Sequence, residues 1–215
     1  MKVPRLLFLK RLCGCMILFS LIIMCNSRNK NPKLFKKQSS LKTHITFNNK
    51  LTESDTFNYF LFSYMYMGGG VSVADFNQDG LTDIYFTGNM VSNQLYLNMG
   101  HLRFKDVTEI SKTGGDDRWM LGSTVCDINN DGFPDIYVSV SGLSGKCKNM
   151  LFVNQGNNSG GIPIFTEEAA AYGIDDNGKS TQGTFFDYDN DGDLDLYVAN
   201  YPITQFQSPP YFYSK

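Results

Sequence analysis

Three nine-residue stretches carry oxygen-bearing side chains in one repeated order: DFNQDGLTD from Asp75 to Asp83, DINNDGFPD from Asp127 to Asp135, and DYDNDGDLD from Asp187 to Asp195. In each, Asp or Asn falls at positions 1, 3, 5 and 9, and Gly at position 6. Hard cations such as calcium take about six to eight oxygens at roughly 2.3–2.6 Å. A loop folded around the ion can supply alternate side chains, a main-chain carbonyl near position 7 and a closing carboxylate. The glycine permits the sharp turn, since it has no Cβ to clash at positive φ. The expected side-chain ligands are Asp75, Asn77, Asp79 and Asp83 in the first loop and Asp127, Asn129, Asp131 and Asp135 in the second. In the third they are Asp187, Asp189, Asp191 and Asp195. Leu81, Phe133 and Asp193 at position 7 would contribute backbone carbonyls, leaving the Asp193 side chain a bystander. The pattern therefore predicts up to three Ca2+ ions. The third loop, with four carboxylates among its side-chain ligands, is expected to bind tightest and to weaken in an Asp191→Ala protein.

Two rival readings are weaker. EF-hand loops share D-x-N-x-D-G but need Glu at position 12 and flanking helices. Position 12 here is Phe86, Val138 and Val198, and the flanks read as strands. A lone Asp-Gly would mark a hairpin turn, yet three copies with the same oxygen spacing exceed what a turn needs. Charge agrees with a cation. The third loop packs five Asp into nine residues, and like charges ~4 Å apart repel by about 1–4 kcal/mol per pair, depending on the dielectric.

The elements that must hold these loops are short strands. Val71–Ala74, Ser123–Cys126 and Thr184–Phe186 precede them, with Ser72, Thr124 and Thr184 each three positions before the first Asp. DIYFTG, DIYVSV and DLYVAN follow them from Asp83, Asp135 and Asp195. The first two copies continue with a third strand, NQLYLNMG from Asn93 and NMLFVNQG from Asn149. A fourth follows: RFKDVTE from Arg103 and PIFTEEA from Pro163. β-branched and aromatic residues between Gly/Asn/Asp turns mark all of these as strands. First-Asp spacings of 52 and 60 residues, with four short strands per unit, are the signature of β-propeller blades. The expected fold is all-β: an incomplete β-propeller of about two and a half four-stranded blades, with calcium loops between adjacent strands. The blades are assigned to 67–115, 116–176 and a truncated 177–215, so the remaining blades of a longer chain are an expected partner. Tyr85, Tyr137 and Tyr197 recur at equivalent strand positions, which favours packing between blades over stacking on a sugar.

The DxNxDGxxD loop between strands, followed by NxLYxN and an F-x-D-V/E-T-like strand, resembles the FG-GAP/VCBS repeats known from the integrin α-subunit propeller. GGGVSVADFNQDGLTDIYFTGN and DYDNDGDLDLYVAN are similar to secreted VCBS-repeat proteins of Bacteroidetes-type bacteria, many of which end in an ASPIC/UnbV domain. The resemblance spans residues 67–200, although the FG-GAP sequence itself is degenerate and no ASPIC/UnbV region is present. It implies a seven-bladed propeller, structural calcium, and roles in surface adhesion or ligand binding.

Composition sets the remaining bounds. The chain is 42% hydrophobic and 14% aromatic, ample for a packed core. Residues 1–50 hold 11 of the 19 Lys and Arg and no acid, leaving 8 basic and all 21 acidic residues after position 50, a net of −13. Eleven of those acids lie in the three loops. Such a body repels phosphate backbones, so nucleic acid is excluded as a partner. Lys2, Arg5, Lys10 and Arg11 precede an uncharged run from Leu12 to Met24, too short to span a bilayer, which takes about 20 residues. This predicts a signal segment over 1–25 and export. Cys25 then serves as a lipidated first residue, the only expected membrane link, or Cys25 and Ser27 frame an ordinary cleavage site. A basic polar linker over 26–43 and a lead-in strand with an aromatic segment over 44–66 follow. Cys126 and Cys147 either pair in the oxidising compartment or are simply buried. His44 and His101 are the only histidines, and no triad, HExxH, CxxC or phosphate-binding glycine loop appears. The expected function is a non-catalytic, calcium-binding module outside the cell whose partner is a protein or polysaccharide. The alternative is the N-terminal part of a propeller-based carbohydrate-active enzyme, such as a calcium-dependent polysaccharide lyase.

Overall fold

A computed structural model describes residues 33–116, 118–141 and 147–202. The signal segment and Cys25 lie outside the described residues. Contacts divide the chain into two units, Met1–Gln38 and Ser39–Lys215, and everything below concerns the second. It is built almost wholly of antiparallel strands. A one-turn helix α1 (Ser40–Thr43) stands where the polar linker was expected to be irregular.

The first sheet comprises β1 (Val71–Ala74), β2 (Asp83–Phe86), β3 (Gln94–Asn98) and β4 (Phe104–Asp106), hydrogen-bonded in that order. A single helical turn α2 (Thr108–Ser111) leads on. The second sheet repeats the order with β5 (Trp119–Cys126), β6 (Asp135–Ser141), β7 (Met150–Asn157) and β8 (Pro163–Glu167). A third sheet pairs β9 (Ser180–Phe186) with β10 (Asp195–Asn200). Two four-stranded blades and the first pair of a third make a partial β-propeller. β5 and β9 begin four residues earlier than their apolar runs imply, because Trp119–Gly122 and Ser180–Gly183 extend the ladders toward the blade's other end.

The inner strands β1, β5 and β9 lie side by side. Ser72 and Ser123 hydroxyls meet at 2.7 Å, and the Thr124 hydroxyl donates to the Gly183 carbonyl at 2.5 Å. Glycine makes this proximity feasible, since a Cβ on Gly70 would fall 2.7 Å from the Leu121 carbonyl oxygen. Gly70 therefore serves strand packing, as does Gly69, where a Cβ would fall 2.2 Å from the Thr87 carbonyl oxygen.

Alternation along each strand sends one set of side chains to each neighbouring blade. Tyr85, Leu95, Leu97 and Phe76 from the first blade meet Ile136, Val138, Phe152 and Phe165 of the second in one apolar layer. Tyr137, Leu151 and Val153 of the second meet Phe185, Leu196 and Val198 of the third in another. Tyr85 packs edge-on against Phe152 and Tyr137 edge-on against Phe185. Both tyrosines are buried, whereas Tyr197 is 66% exposed. The recurrent tyrosine is thus an inter-blade contact wherever a following blade is present.

The lead-in strand does not form. Within 44–66 the β pairing is the single bridge Ser54–Phe57, because Asn58 caps a turn instead. Its side-chain oxygen accepts the N–H groups of Phe60 and Leu61 at 3.0 and 3.2 Å. Phe57, Phe62 and Met65 turn inward from this segment; Phe57 and Phe62 pack on Trp119 at centroid distances of 5.3 Å.

No disulfide joins Cys126 to Cys147; each is a buried thiol. Burial, with Asp135 and Asp127 nearby, pushes the Cys126 thiol up to about 12. Since the thiolate is the nucleophile, Cys126 is expected to escape iodoacetamide at pH 8 in the folded protein and to be alkylated in urea. Peptide mass spectrometry reads this directly; labelling of the native protein at the denatured rate would refute it.

Candidate metal centres

Each acidic loop connects an inner strand to the next strand of its blade, and the three share one backbone course. Position 4 is left-handed in all of them (Gln78 φ 56°, Asn130 φ 55°, Asn190 φ 61°), and so is the glycine at position 6 (Gly80 85°, Gly132 87°, Gly192 95°). The hydrogen bonds repeat as well. Asp75 accepts the N–H groups of Asp79 and Gly80 at 3.0 and 2.7 Å, and Asp127 those of Asp131 and Gly132 at 3.1 and 2.9 Å. Asp187 accepts from Gly192 at 3.2 Å. Asn77 and Asn129 lie beside Asp79 and Asp131, each donating its amide N–H to the neighbouring carboxylate at 3.0 and 2.9 Å.

Position 9 does more than close the loop. The Asp83 carboxylate is fully buried and takes the Phe76 N–H on one oxygen at 2.9 Å and the Asn98 N–H on the other at 2.8 Å. Asp135 does the same with Ile128 at 2.8 Å and Asn154 at 2.7 Å. One carboxylate thus clips the start of the loop to the end of the third strand. Asp195 holds the Tyr188 N–H at 2.8 Å. Each such oxygen keeps a second lone pair, so the clip leaves capacity for a cation. The clip itself was not read from the sequence, although the final Asn of NxLYxN was visible. A second repeated device was also missed. Asn93 donates to the Tyr85 hydroxyl at 2.7 Å and Asn149 to that of Tyr137 at 2.8 Å, each holding its tyrosine from behind.

In the third loop the structure brings Asp187, Asp189 and Asp195 together, one carboxylate oxygen of each lying within 4.8 Å of the others. Oxygens around one calcium at roughly 2.5 Å lie no more than about 5 Å apart, so this group fits a cation of that size. Asp191 lies next to this group, its side chain beside that of Asp189, and accepts the Asp193 N–H at 3.1 Å. That contact holds the Asp191 carboxyl below its usual range, while hydrogen bonding to Asp191 pushes Asp193 up. In the first two loops Asn77 and Asn129 offer an amide oxygen where Asp189 offers a carboxylate. Leu81, Phe133 and Asp193 occupy position 7 in the same turn, following the positive-φ glycine. An all-oxygen donor set of this kind suits calcium better than softer metals.

Burial pushes the Asp83 carboxyl up to about 6, helped by Asp79 and Asp75 and opposed by its two backbone hydrogen bonds. The folded, metal-free chain therefore keeps a proton between about pH 4 and 6 that the unfolded chain, with an ordinary Asp near 3.9, has released. Lowering the pH through this window stabilises the metal-free fold through Asp83, and that stability is lost as pH rises through 6. A cation needs the ionised group, so calcium affinity at the first loop is expected to fall by about tenfold per pH unit below 6. Titration calorimetry at pH 7.5 and 5 checks this; equal affinities would refute it.

A chain of blades clasped face to face, each with an acidic loop at the same corner, is a β-propeller repeat protein. Residues 75–138 match the family model described as FG-GAP-like repeat. The chain therefore carries an FG-GAP-like repeat over those residues. It is 29% identical over 137 residues to cartilage acidic protein 1 of Mus musculus, covering 62% of this chain and 21% of that protein. The Homo sapiens form is 29% identical over 141 residues, covering 62% and 20%, and that of Xenopus tropicalis 28% over 137 residues, covering 62% and 21%. The chain spans about a fifth of the length of these curated relatives. Among the described residues no helix is long and apolar enough to cross a membrane.

Proposed function

We propose that this chain is a non-catalytic, calcium-stabilised propeller module that acts outside the cell in adhesion or ligand binding, with further blades completing its ring. The observation that carries the reading is the threefold recurrence of one loop, alike in its positive-φ positions 4 and 6, in the glycine N–H given to position 1 and in the second residue's N–H given to position 9. A catalytic site is single; a stabilising ion belongs in every blade. Bound calcium would supply charge neutralisation and a rigid loop. Asp187, Asp189, Asp191 and Asp195 would hold it in the third blade, and Asp75, Asn77, Asp79 and Asp83, or Asp127, Asn129, Asp131 and Asp135, in the others. The FG-GAP-like repeat over residues 75–138 and the likeness to cartilage acidic protein 1 support an exported module, as does the basic-then-apolar N-terminus. The partner would be an extracellular protein or a polysaccharide, and a lipid on Cys25 the sole membrane link.

The test is calcium titration calorimetry on the full chain, together with metal content by mass spectrometry. The expected result is up to three ions per chain, the tightest site weakening to match the others in Asp189→Asn, which converts the third donor set to that of the first two. A chain that carries no metal and takes up none at millimolar calcium would overturn the reading.

A further inference from the structure

Opposite the acidic loops, at the other end of β5, the 53–67 segment builds a second surface that the metal centres do not use. Its inward side chains Phe57, Phe62 and Met65 are anchored at Trp119. Its outward ones form a contiguous aromatic patch. Tyr59 lies 6.1 Å from Tyr66, with rings tilted by 32°, and 6.2 Å from Phe60, which meets it edge-on. Phe60 is 75% exposed, Tyr66 61% and Tyr59 44%. Contiguous exposed aromatics of this kind mark a binding surface more often than scattered apolar residues do.

The patch is oriented by one carboxylate. Glu53 accepts the Tyr59 N–H at 3.2 Å and the Tyr66 hydroxyl at 2.8 Å, both on Oε1. Among the described residues no hydrogen bond reaches its Oε2. The two tyrosines therefore form a shallow V with a carboxylate acceptor at its rim. Glu53 and Asp55 make that rim acidic, with Lys50 the nearest basic residue in sequence.

We infer that the Tyr59–Phe60–Tyr66 surface binds a neutral polysaccharide. A pyranose presents an apolar C–H face that covers an aromatic ring, and hydroxyls that donate to a carboxylate; ring faces and a charged acceptor are what this surface holds. The acidic rim selects against anionic polymers and anionic lipid surfaces, which need basic residues. The inference rests on the reading of the chain as a binding module and is independent of the calcium loops.

The experiment is native affinity electrophoresis of the full chain through gels containing a (1→3)-β-glucan, a mannan or a xylan, with polygalacturonate as the anionic control. Flotation with phosphatidylcholine–phosphatidylglycerol vesicles runs alongside. Retardation by at least one neutral polysaccharide is expected, with affinity falling at least tenfold in Tyr66→Ala and in Phe60→Ala. Phe60 is exposed enough that its loss leaves the thermal melt unchanged, so that variant separates binding from folding. No retardation by any of the three, retardation equal in the variants, or vesicle binding lost in the variants in place of polysaccharide binding would each overturn the proposal. Calorimetry on the same preparations keeps the two readings apart. Calcium uptake without retardation sinks only the aromatic surface, and retardation without calcium uptake sinks only the metal centres.

Discussion

Asp135→Ala is expected to destabilise the metal-free protein by about 2–4 kcal/mol, because it strands one buried N–H group at roughly 1–3 kcal/mol and one part-buried N–H at about 1 kcal/mol. The groups are those of Ile128 and Asn154, at opposite ends of one blade's hydrogen-bonded corner. Asp135→Asn keeps one acceptor oxygen but turns an N–H toward the second donor, so it should lose about half as much. Asp195→Ala should cost least of the position-9 series, since among the described residues Asp195 holds a single backbone N–H and is only half-buried. Urea unfolding in the presence of a chelator isolates the hydrogen-bonding role from any metal. An Asp135→Ala protein within about 0.5 kcal/mol of the parent would show that the clip contributes nothing.

Removing calcium from the whole protein should have the larger effect. A ligand at a hundred times its dissociation constant stabilises by about 2.7 kcal/mol per site, so three loops together reach about 8 kcal/mol. At this chain length about 1 kcal/mol moves Tm by roughly 2–4 °C, which puts the chelator-induced fall at about 15–30 °C. Thermal melts followed by circular dichroism, with and without EGTA, measure it directly. A shift under about 2 °C would mean that the loops hold their shape by backbone hydrogen bonds alone.

The parts of this molecule legible in its sequence are those governed by local rules. The alternation in DIYFTG and DIYVSV reports strands, and Asn-Gly and Asp-Gly punctuation reports the turns between them. The recurring D-x-N/D-x-D-G-x-x-D reports a loop whose glycine must reach positive φ, and all three do. What escaped reading depends on neighbours far along the chain. Phe76 is buried because Phe165 of the following blade lies 6.1 Å away, while Tyr188 at the equivalent position is 75% exposed. Asp83 and Asp135 look like any closing ligand until the third strand is seen to deliver an N–H to each. The 44–66 segment misled through its composition. Its aromatics suggest a strand, but Phe57, Phe62 and Met65 face inward at unequal intervals around the Asn58 turn.

The clasped tyrosines have a consequence for how the molecule is made. Tyr85 is covered only once Phe152 has been synthesised, and Tyr137 only once Phe185 has. Biosynthesis runs from the N-terminus, and each segment leaving the ribosome waits for its successor before it is sealed. Maturation is therefore vectorial, with a single unfinished tyrosine travelling at the growing end. Ribosome-stalled chains of increasing length should show Tyr85's sheet gaining protease resistance only after Phe152 has emerged; resistance at shorter lengths would break that order.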